Sequence, residues 1–529
     1  MLKTAVSIPI VGVIIWLVFF RDPFVTRTPQ QLNAQYDYIV VGAGSAGSVV
    51  ASRLSEDPSV SVLLLEAGPH DDTVWYSYIP ALVACLQQTV IDWQYHTEPQ
   101  KHSSEEIRGR RVVWPRGRVL GGTSMLNYMI ANRGDPAEFN RWASRAGCDG
   151  WSFDEMLPFL RKLETATFTD DKKYRGHDGP LHVTQSPLAP LSEQILSIVA
   201  ANGMNANDDY NRPGMHTGFH RVQFLIDQRG RRQSTAYKYL RPAMRRPNLH
   251  IAANAHVSKI NFDGSSTDKK PRATGVDFVW TVDNSNHRVV VNREVLVSAG
   301  SVSSPQLLAL SGIGSRKDLE RLQIPVVRDL PAVGSNLRDH VTVPLVAAIN
   351  DSSAVLHIDP HESMPHYILR SLAEYFLFGT GPMTWPGALL IGHETTGILS
   401  KDYSSDVQYY VFAGDVLKRG ELNWLMNLTD AANDAAYRKA RGRSLFSFYA
   451  VANQARSVGQ IKLRSADPFD HPIIDFNYMS DPVDWKMLIA GLRKLTSILT
   501  HPVLVEKYEL EMLDVCGETK QGTDESFDA

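Results

Sequence analysis

Cysteine is nearly absent from this 529-residue chain: Cys85, Cys148 and Cys516 are all it has. Three thiols so widely spaced make neither a disulfide framework nor a metal cluster, and the odd count leaves at least one of them free. No metal site is written here. Blocks of one charge are also missing. Lys and Arg number 54 against 57 Asp and Glu, a net charge of −3, whereas nucleic-acid binding calls for a clustered basic surface. The short clusters Arg108–Arg111 and Arg229–Arg232 read as solvated loops. Internal repeats and low-complexity tracts are absent, which excludes solenoids and fibrous arrays. Long apolar runs are lacking with one exception. Lys3 precedes a 16-residue apolar stretch, Ala5 to Phe20, that Arg21 ends. It has the charged start and apolar centre of a secretory signal. The small residues of a cleavage site are missing from its end, and 16 residues are short for a spanning helix. Residues 1–24 are therefore expected to be a signal peptide or an uncleaved signal anchor, which places the chain outside the cell or anchored to a membrane. Sequons at Asn350 and Asn427 are compatible with that route.

What remains is an ordinary globular composition, 43% hydrophobic and 21% charged, long enough for two or more cores. After a polar linker at 21–34 comes a strand, Tyr36 to Val41, then the turn Gly42-Ala-Gly44-Ser-Ala-Gly47, a helix from Ser48 to Leu54, and a second strand, Ser61 to Leu65, with Glu66 at its end. The first glycine allows the tight turn, the second lets backbone approach a pyrophosphate, and the third lets helix and strand pack closely. The helix N-terminus faces the phosphates. Glu66 follows Gly47 by 19 residues, where an acid meets ribose hydroxyls. The unit is written to hold a dinucleotide.

Further β-branched runs bounded by turn residues predict sheet strands at Leu249–Ile260, Gly275–Trp280, Arg288–Val291 and Glu294–Ser298. Ser304 reads as an N-cap with Pro305 at the first helical position, and Gly312 ends that helix. From residue 341 the texture changes. Val407–Phe412 and Ser444–Tyr449 read as strands of a second, mostly antiparallel sheet. Asp481-Pro482 opens a helix whose stripe of Trp485, Leu488, Ile489, Leu492, Leu495, Ile498 and Leu499 is core packing. A second glycine-rich stretch runs from Arg116 through Gly121, Gly122, Thr123 and Ser124 to Asn127. Paired glycines followed by hydroxyl residues expose N–H and O–H groups to a phosphate or ring edge, and Asn127 adds an amide that both gives and accepts hydrogen bonds.

Residues 117–127, G-R-x-L-G-G-T-S-x-x-N, and 300–314, G-S-x-x-S-P-x-L-L-x-x-S-G-I-G, resemble the two hallmark motifs of the glucose–methanol–choline (GMC) oxidoreductases. The opening Y-D-Y-I-V-V-G-A-G-S-A-G and the phrases at 333–340, 379–382 and 466–472 add to the likeness, which runs from about Asp37 to Leu499. Phrases at Trp142-Ala143 and Met156–Glu164 resemble the arthropod glucose dehydrogenase and choline dehydrogenase-like branch. The resemblance implies an α/β fold, with a Rossmann-like FAD-binding domain and a substrate domain of mostly antiparallel sheet and helices. It implies FAD, an alcohol, sugar or choline-like donor, and a quinone, dye or oxygen as acceptor. Gly42, Ala43, Gly44, Ser45, Ala46 and Gly47 would hold the pyrophosphate, and Glu66 with Ala67 the adenosine ribose. Val119, Gly122, Thr123 and Asn127 would lie along pyrophosphate and flavin. Val257 would touch adenine through its backbone, and Ala299 would border the same site. The domains expected are 35–340 for FAD, with substrate-domain insertions around 150–245, and 341–529 for the substrate domain with an incomplete family C-terminal part.

One group is missing. The family's catalytic base is a histidine in H-P-x-G-T, and none of the 17 histidines stands in that context. His471-Pro472 and His501-Pro502 continue differently, and His256 and His340 read as hydrogen-bonded structural residues. No catalytic residue is therefore assigned. The 529 residues are expected to be a C-terminally truncated FAD-dependent dehydrogenase with little or no activity. The alternative is a non-catalytic, secreted FAD-binding protein. A nicotinamide-dependent Rossmann enzyme is a weaker third reading, since Gly312-Ile-Gly314 and Gly379-Thr-Gly381 lack both the third glycine and the acid.

Overall fold

Two apolar runs laid side by side form the centre of the first sheet. The computed structural model describes residues 24–263, 270–350, 364–399, 405–413, 427–430 and 443–513; the apolar run at 5–20 and Cys516 lie outside them. Strand β1 (Gln35–Val41) and strand β2 (Val62–Leu65) pair in parallel, Tyr38 opposite Val62 through Val41 opposite Leu65. Ile39, Val40 and all of β2 are buried, as strands covered on both faces must be. Helix α1 (Ser45–Leu54) follows β1. It begins three residues earlier than the sequence predicts, directly at the glycine turn. Strand β3 (Leu249–Ala252) lies beside β2, and β4 (Ala255–Asp263), β5 (Arg272–Trp280) and β6 (Ser285–Val297) form an antiparallel meander. The sheet order is β4-β5-β6-β1-β2-β3, with β6 parallel to β1.

Two boundaries differ from expectation for identifiable reasons. The run 249–260 is two strands, broken where Asn254 takes φ 58°, a left-handed conformation that Asn tolerates. Its N–H donates to the Gly68 carbonyl and the Ala255 N–H to that of Glu66, which carries the chain across the end of β2. The runs 288–291 and 294–298 are instead one strand. Asn292 and Arg293 are absorbed as a bulge, since β1 advances from Tyr36 to Tyr38 while β6 advances from Val291 to Glu294.

Helix α2 (Gly300–Leu310) also starts early. Ser304 is no N-cap: it sits inside the helix, and so does Pro305, which has no N–H to give to the Ser301 carbonyl four residues back. The helix begins at Gly300 because Ser298 still belongs to the strand end, bonded to the Val41 carbonyl, and Gly300 with φ +85° makes the corner.

The second sheet is antiparallel throughout. Its core is β7 (Val341–Ile349), β8 (Ala388–Glu394), β9 (Val407–Ala413) and β10 (Ser444–Ala452), in the order β7-β10-β9-β8. Gly218–Arg221 adds an edge strand beside β8 and Glu511–Met512 one beside β7, so chain from before residue 340 completes this sheet. Helix α3 (Pro482–Leu499) packs across it, capped by the Asp481 carboxylate on the Val483 N–H. Of the stripe named above, Leu488, Leu492, Leu495, Ile498 and Leu499 are buried, but Trp485 is 45% exposed and Ile489 only half-buried. Asp484 decides the rotation. Its buried carboxylate accepts the N–H groups of Arg456 and Ser457 at 2.7 and 2.9 Å, which turns Met487 and Gly491 inward and Trp485 out. Cys85 and Cys148 are exposed free thiols. Among the described residues no single helix is long and apolar enough to cross a membrane.

Candidate functional site

The carboxyl ends of β1, β2 and β6 open into one cavity of about 470 Å³. This is the switch point where the neighbours of β1 diverge, the place open α/β sheets bind ligands. Val41, Leu65 and Val297 end the three strands on its wall. Ser45 and Ala46 at the start of α1, and Gly300 to Ser303 at the start of α2, also line it. Two helix N-termini thus bring unsatisfied N–H groups and partial positive charge to one space, and Arg116 adds a full charge.

The glycines of the turn separate by what constrains them. A side chain on Gly47 would place Cβ 1.9 Å from the Gly42 carbonyl oxygen, and one on Gly42, at φ +93°, would lie 2.6 Å from that of Ser298. Those two are demanded by the protein. Gly44 is not: its φ of −71° suits any residue, and the nearest atom to an added Cβ is the Gly122 Cα at 3.9 Å. The second glycine therefore keeps a space that the polypeptide leaves unused, as a closely approaching ligand requires. Gly122 packs against it from the second glycine-rich loop, and a Cβ there would come within 2.5 Å of the Gly44 Cα. A dinucleotide fits this cradle.

Glu66 is buried at the end of β2. Oε2 accepts the Ala43 N–H at 2.8 Å and Oε1 the Gly68 N–H at 2.9 Å, so the carboxylate ties the turn to the strand that follows. Burial pushes its pKa up to about 7, against the downward pull of those two bonds. Thr123 Oγ1 accepts the Gly117 N–H at 3.1 Å, which leaves its own proton free to donate.

Gly42, Gly44, Ser45, Ala46, Glu66, Ala67, Gly122, Thr123, Val257 and Ala299 all line the cavity. Ala43, Gly47, Val119 and Asn127 do not. Ala43 and Gly47 form the underside of the turn. Val119 has no exposed surface and packs with Val74, Tyr78 and Met125 behind the loop. Asn127 is half-buried beyond the wall, bonded to Arg232 and Met129. Sequence reasoning missed Trp93, Tyr95, Pro468 and Gln306, which close the cavity. Trp93 and Tyr95 stack at 5.7 Å, and Tyr95 meets Ser303 at 3.2 Å. Gln306 is a variable position of the 300–314 motif and Pro468 lies in the 466–472 phrase, whereas Trp93 and Tyr95 stand in no motif. His256 lines the cavity too. Its Nε2–H donates to the Pro468 carbonyl at 3.2 Å, and burial pushes its pKa down to about 4, so the ring is neutral. The Arg229–Arg232 cluster is not wholly a solvated loop: Arg232 is completely buried.

Comparison with known proteins places this chain in a family. The N-terminal and C-terminal family models of the GMC oxidoreductases match residues 36–342 and 455–529. Mouse mitochondrial choline dehydrogenase is 36% identical over 462 residues, covering 85% of this chain and 70% of its own. The oxygen-dependent choline dehydrogenase of Paraburkholderia phytofirmans is 35% identical over 507 residues, 93% of this chain and 82% of that one. Among solved structures, an FAD-dependent oxidoreductase from Chaetomium thermophilum aligns with a TM-score of 0.74 at 26% identity, over 93% of this chain and 86% of that one. Aspergillus oryzae formate oxidase shares the fold, with a TM-score of 0.77 at 24% identity over 94% and 86%. The chain belongs to the GMC oxidoreductase family.

Proposed function

We propose that the cavity holds FAD and that the protein is built to oxidise a CH–OH donor of the alcohol, sugar or choline class, with a quinone or other acceptor completing the cycle. The space kept open by Gly44 between two helix N-termini carries this reading. When bound, FAD supplies the hydride acceptor. The chain's own part is to bind and orient. Ser45, Ala46 and Thr123 offer N–H and O–H donors to the pyrophosphate, Glu66 and Ala67 face the ribose, and the Val257 backbone faces adenine. The glycine-rich cradle belongs to a domain of 35–340, with insertions near 150–245, and the antiparallel sheet to a substrate domain from 341 onward.

Glu66 makes the reading testable by pH. Ribose hydroxyls donating to it would favour its charged form, so the pKa must drop from about 7 when FAD binds. FAD affinity is then flat above pH 7 and falls as pH drops below 7, by as much as about tenfold per unit. E66Q should bind more weakly without this dependence. Fluorescence titration from pH 5 to 8 measures both, and a wild-type affinity independent of pH would remove Glu66 from the ribose.

The 529-residue polypeptide itself is expected to turn over choline, glucose or simple alcohols at background rate. A positioned base is worth about 10²–10⁴-fold, and the histidines by the cavity are otherwise engaged. His256 is bonded to Pro468, and His471 packs edge-on against Tyr95 at 4.9 Å. Steady dye reduction by this polypeptide would overturn the expectation. The engagement of His256 and His471 favours a second reading, a secreted FAD-binding protein without turnover, which predicts a stable yellow product in the medium. Secretion or anchoring rests on the run 5–20. Of the two sequons Asn350 is exposed and Asn427 half-buried, and both side-chain amides are bonded, Asn350 to the Glu509 carboxylate and Asn427 to the Arg108 and Arg111 carbonyls. Fractionation with glycosidase treatment checks it.

A further inference from the structure

The helix Met364–Phe378 carries apolar residues on two sides. One side faces inward. Tyr375 is buried, its Oη donating to the Tyr78 carbonyl at 3.3 Å, and Phe376 packs on Trp75 with ring centroids 6.4 Å apart. The other side faces water. Leu369, Ala373 and Leu377 recur every four residues and all are exposed, Leu369 by 64% and Leu377 by 61%. Ile368 and Phe378 flank this row, Phe378 with 73% of its surface exposed. A surface helix ordinarily turns its apolar stripe to the core and polar residues to water. Single exposed apolar side chains mean little, but a continuous row of them marks a contact surface.

Charge and position say what this surface meets. Arg370 stands on the exposed side of the helix. Arg229 and Arg231 line a hollow of about 320 Å³ together with Leu377, Phe378 and Gly379. The carboxylates close by are engaged: Asp227 Oδ1 accepts the main-chain N–H groups of Arg229 and Arg231 at 2.9 Å each, and Glu374 accepts the Thr380 hydroxyl at 3.1 Å. An apolar row rimmed by guanidinium groups matches a bilayer interface, with acyl chains below and phosphates above. As to position, the Arg241 guanidinium lies over the Phe24 ring at 5.3 Å and bonds Asp71 at 3.0 Å, while Thr26 meets His70 at 3.3 Å. The same 70–78 segment holds the helix through Trp75 and Tyr78. Phe20 ends the apolar run four positions before Phe24, a reach of at most about 14 Å. The apolar run therefore joins the folded chain beside the segment that carries the helix.

We propose that Leu369, Leu377 and Phe378 form a docking surface for an anionic phospholipid bilayer, lying in its interface with Arg229 and Arg370 at the phosphates. This surface is independent of what fills the cofactor cavity. The apolar run alone would tether the folded chain through the polar linker at 21–34 and leave it free to turn. A second contact with the same membrane fixes its orientation.

The test mixes the full chain with vesicles of phosphatidylcholine and phosphatidylserine that carry a trace of phospholipid with a diazirine in its acyl chain. After irradiation, lipid adducts are expected on the peptide spanning 364–378. The triple variant L369S/L377S/F378S should lose them, and should melt within about 2 °C of wild type because the three residues are exposed. R229Q/R370Q should bind phosphatidylserine-containing vesicles about tenfold more weakly at low salt and pure phosphatidylcholine vesicles as wild type does. Wild type that binds no vesicles, or binds them without adducts on 364–378, overturns the inference. So do adducts that persist in the triple variant, or an R229Q/R370Q protein that binds both kinds of vesicle like wild type. A wild-type dimer that the triple variant converts to monomer on gel filtration also overturns it, because the face then belongs to a second copy of the chain.

Discussion

Replacing Gly44 with valine is expected to leave the protein folded but without flavin, with FAD affinity lowered by about 100-fold or more, near 2.7 kcal/mol. The backbone there is ordinary, at φ −71° and ψ −164°, and no protein atom lies within 3.9 Å of an added Cβ. The new side chain meets only the space reserved for the ligand. Gly42→Ala and Gly47→Ala should behave differently, since their Cβ atoms fall 2.6 and 1.9 Å from backbone oxygens and one of the two stands at φ +93°. These should lose the fold along with the cofactor. Flavin absorbance after gel filtration, beside a thermal melt, separates the cases. A Gly44→Val protein that stays yellow at full stoichiometry would mean that the pyrophosphate does not pass over this turn.

The largest effect on stability is expected at Arg175. This side chain has no exposed surface and is held on all sides by acceptors. Nε and Nη2 clamp Glu164 at 2.7 and 3.0 Å, while Nη1 reaches Asp209 at 2.9 Å and Gln223 at 2.8 Å. Arg133, six residues past Asn127, joins the same Glu164 at 2.7 Å. Arg175→Met would leave two nearly buried carboxylates with one remaining cation between them, at a cost of about 3–5 kcal/mol. That is a large share of the roughly 5–15 kcal/mol that holds a typical domain together. Arg288→Ala, which breaks the exposed pair with Asp277, should cost about 1 kcal/mol or less. Urea unfolding of both variants checks the contrast, and equal midpoints would show that the buried network contributes no more than a surface pair.

How far the sequence could be read depended on whether a residue answers to its neighbours along the chain or to distant segments. The glycine turn was readable because Gly47 is constrained by the Gly42 carbonyl five residues back, although Gly42 itself is also hemmed in by the distant Ser298. The start of α3 at Pro482 was readable because its cap is two residues away, Asp481 to Val483. The break at Asn254 was hidden, because it is drawn by carbonyls at Glu66 and Gly68 almost 190 positions earlier. Trp485 was assigned inward because helical spacing alone cannot see that Asp484 is pulled down onto Arg456 and Ser457.

The sequence by itself determined the dinucleotide turn, the two-sheet α/β plan and the membership of the GMC family, because each rests on short patterns whose chemistry is local. Only the tertiary structure decided that Gly44 is spare to the protein, that Trp93, Tyr95 and Pro468 meet over the cofactor space, and that Arg232 lies beneath Asn127. Those facts depend on which distant segments close on one another, and burial then converts an arginine that reads as a solvated loop residue into a support of the 121–127 loop.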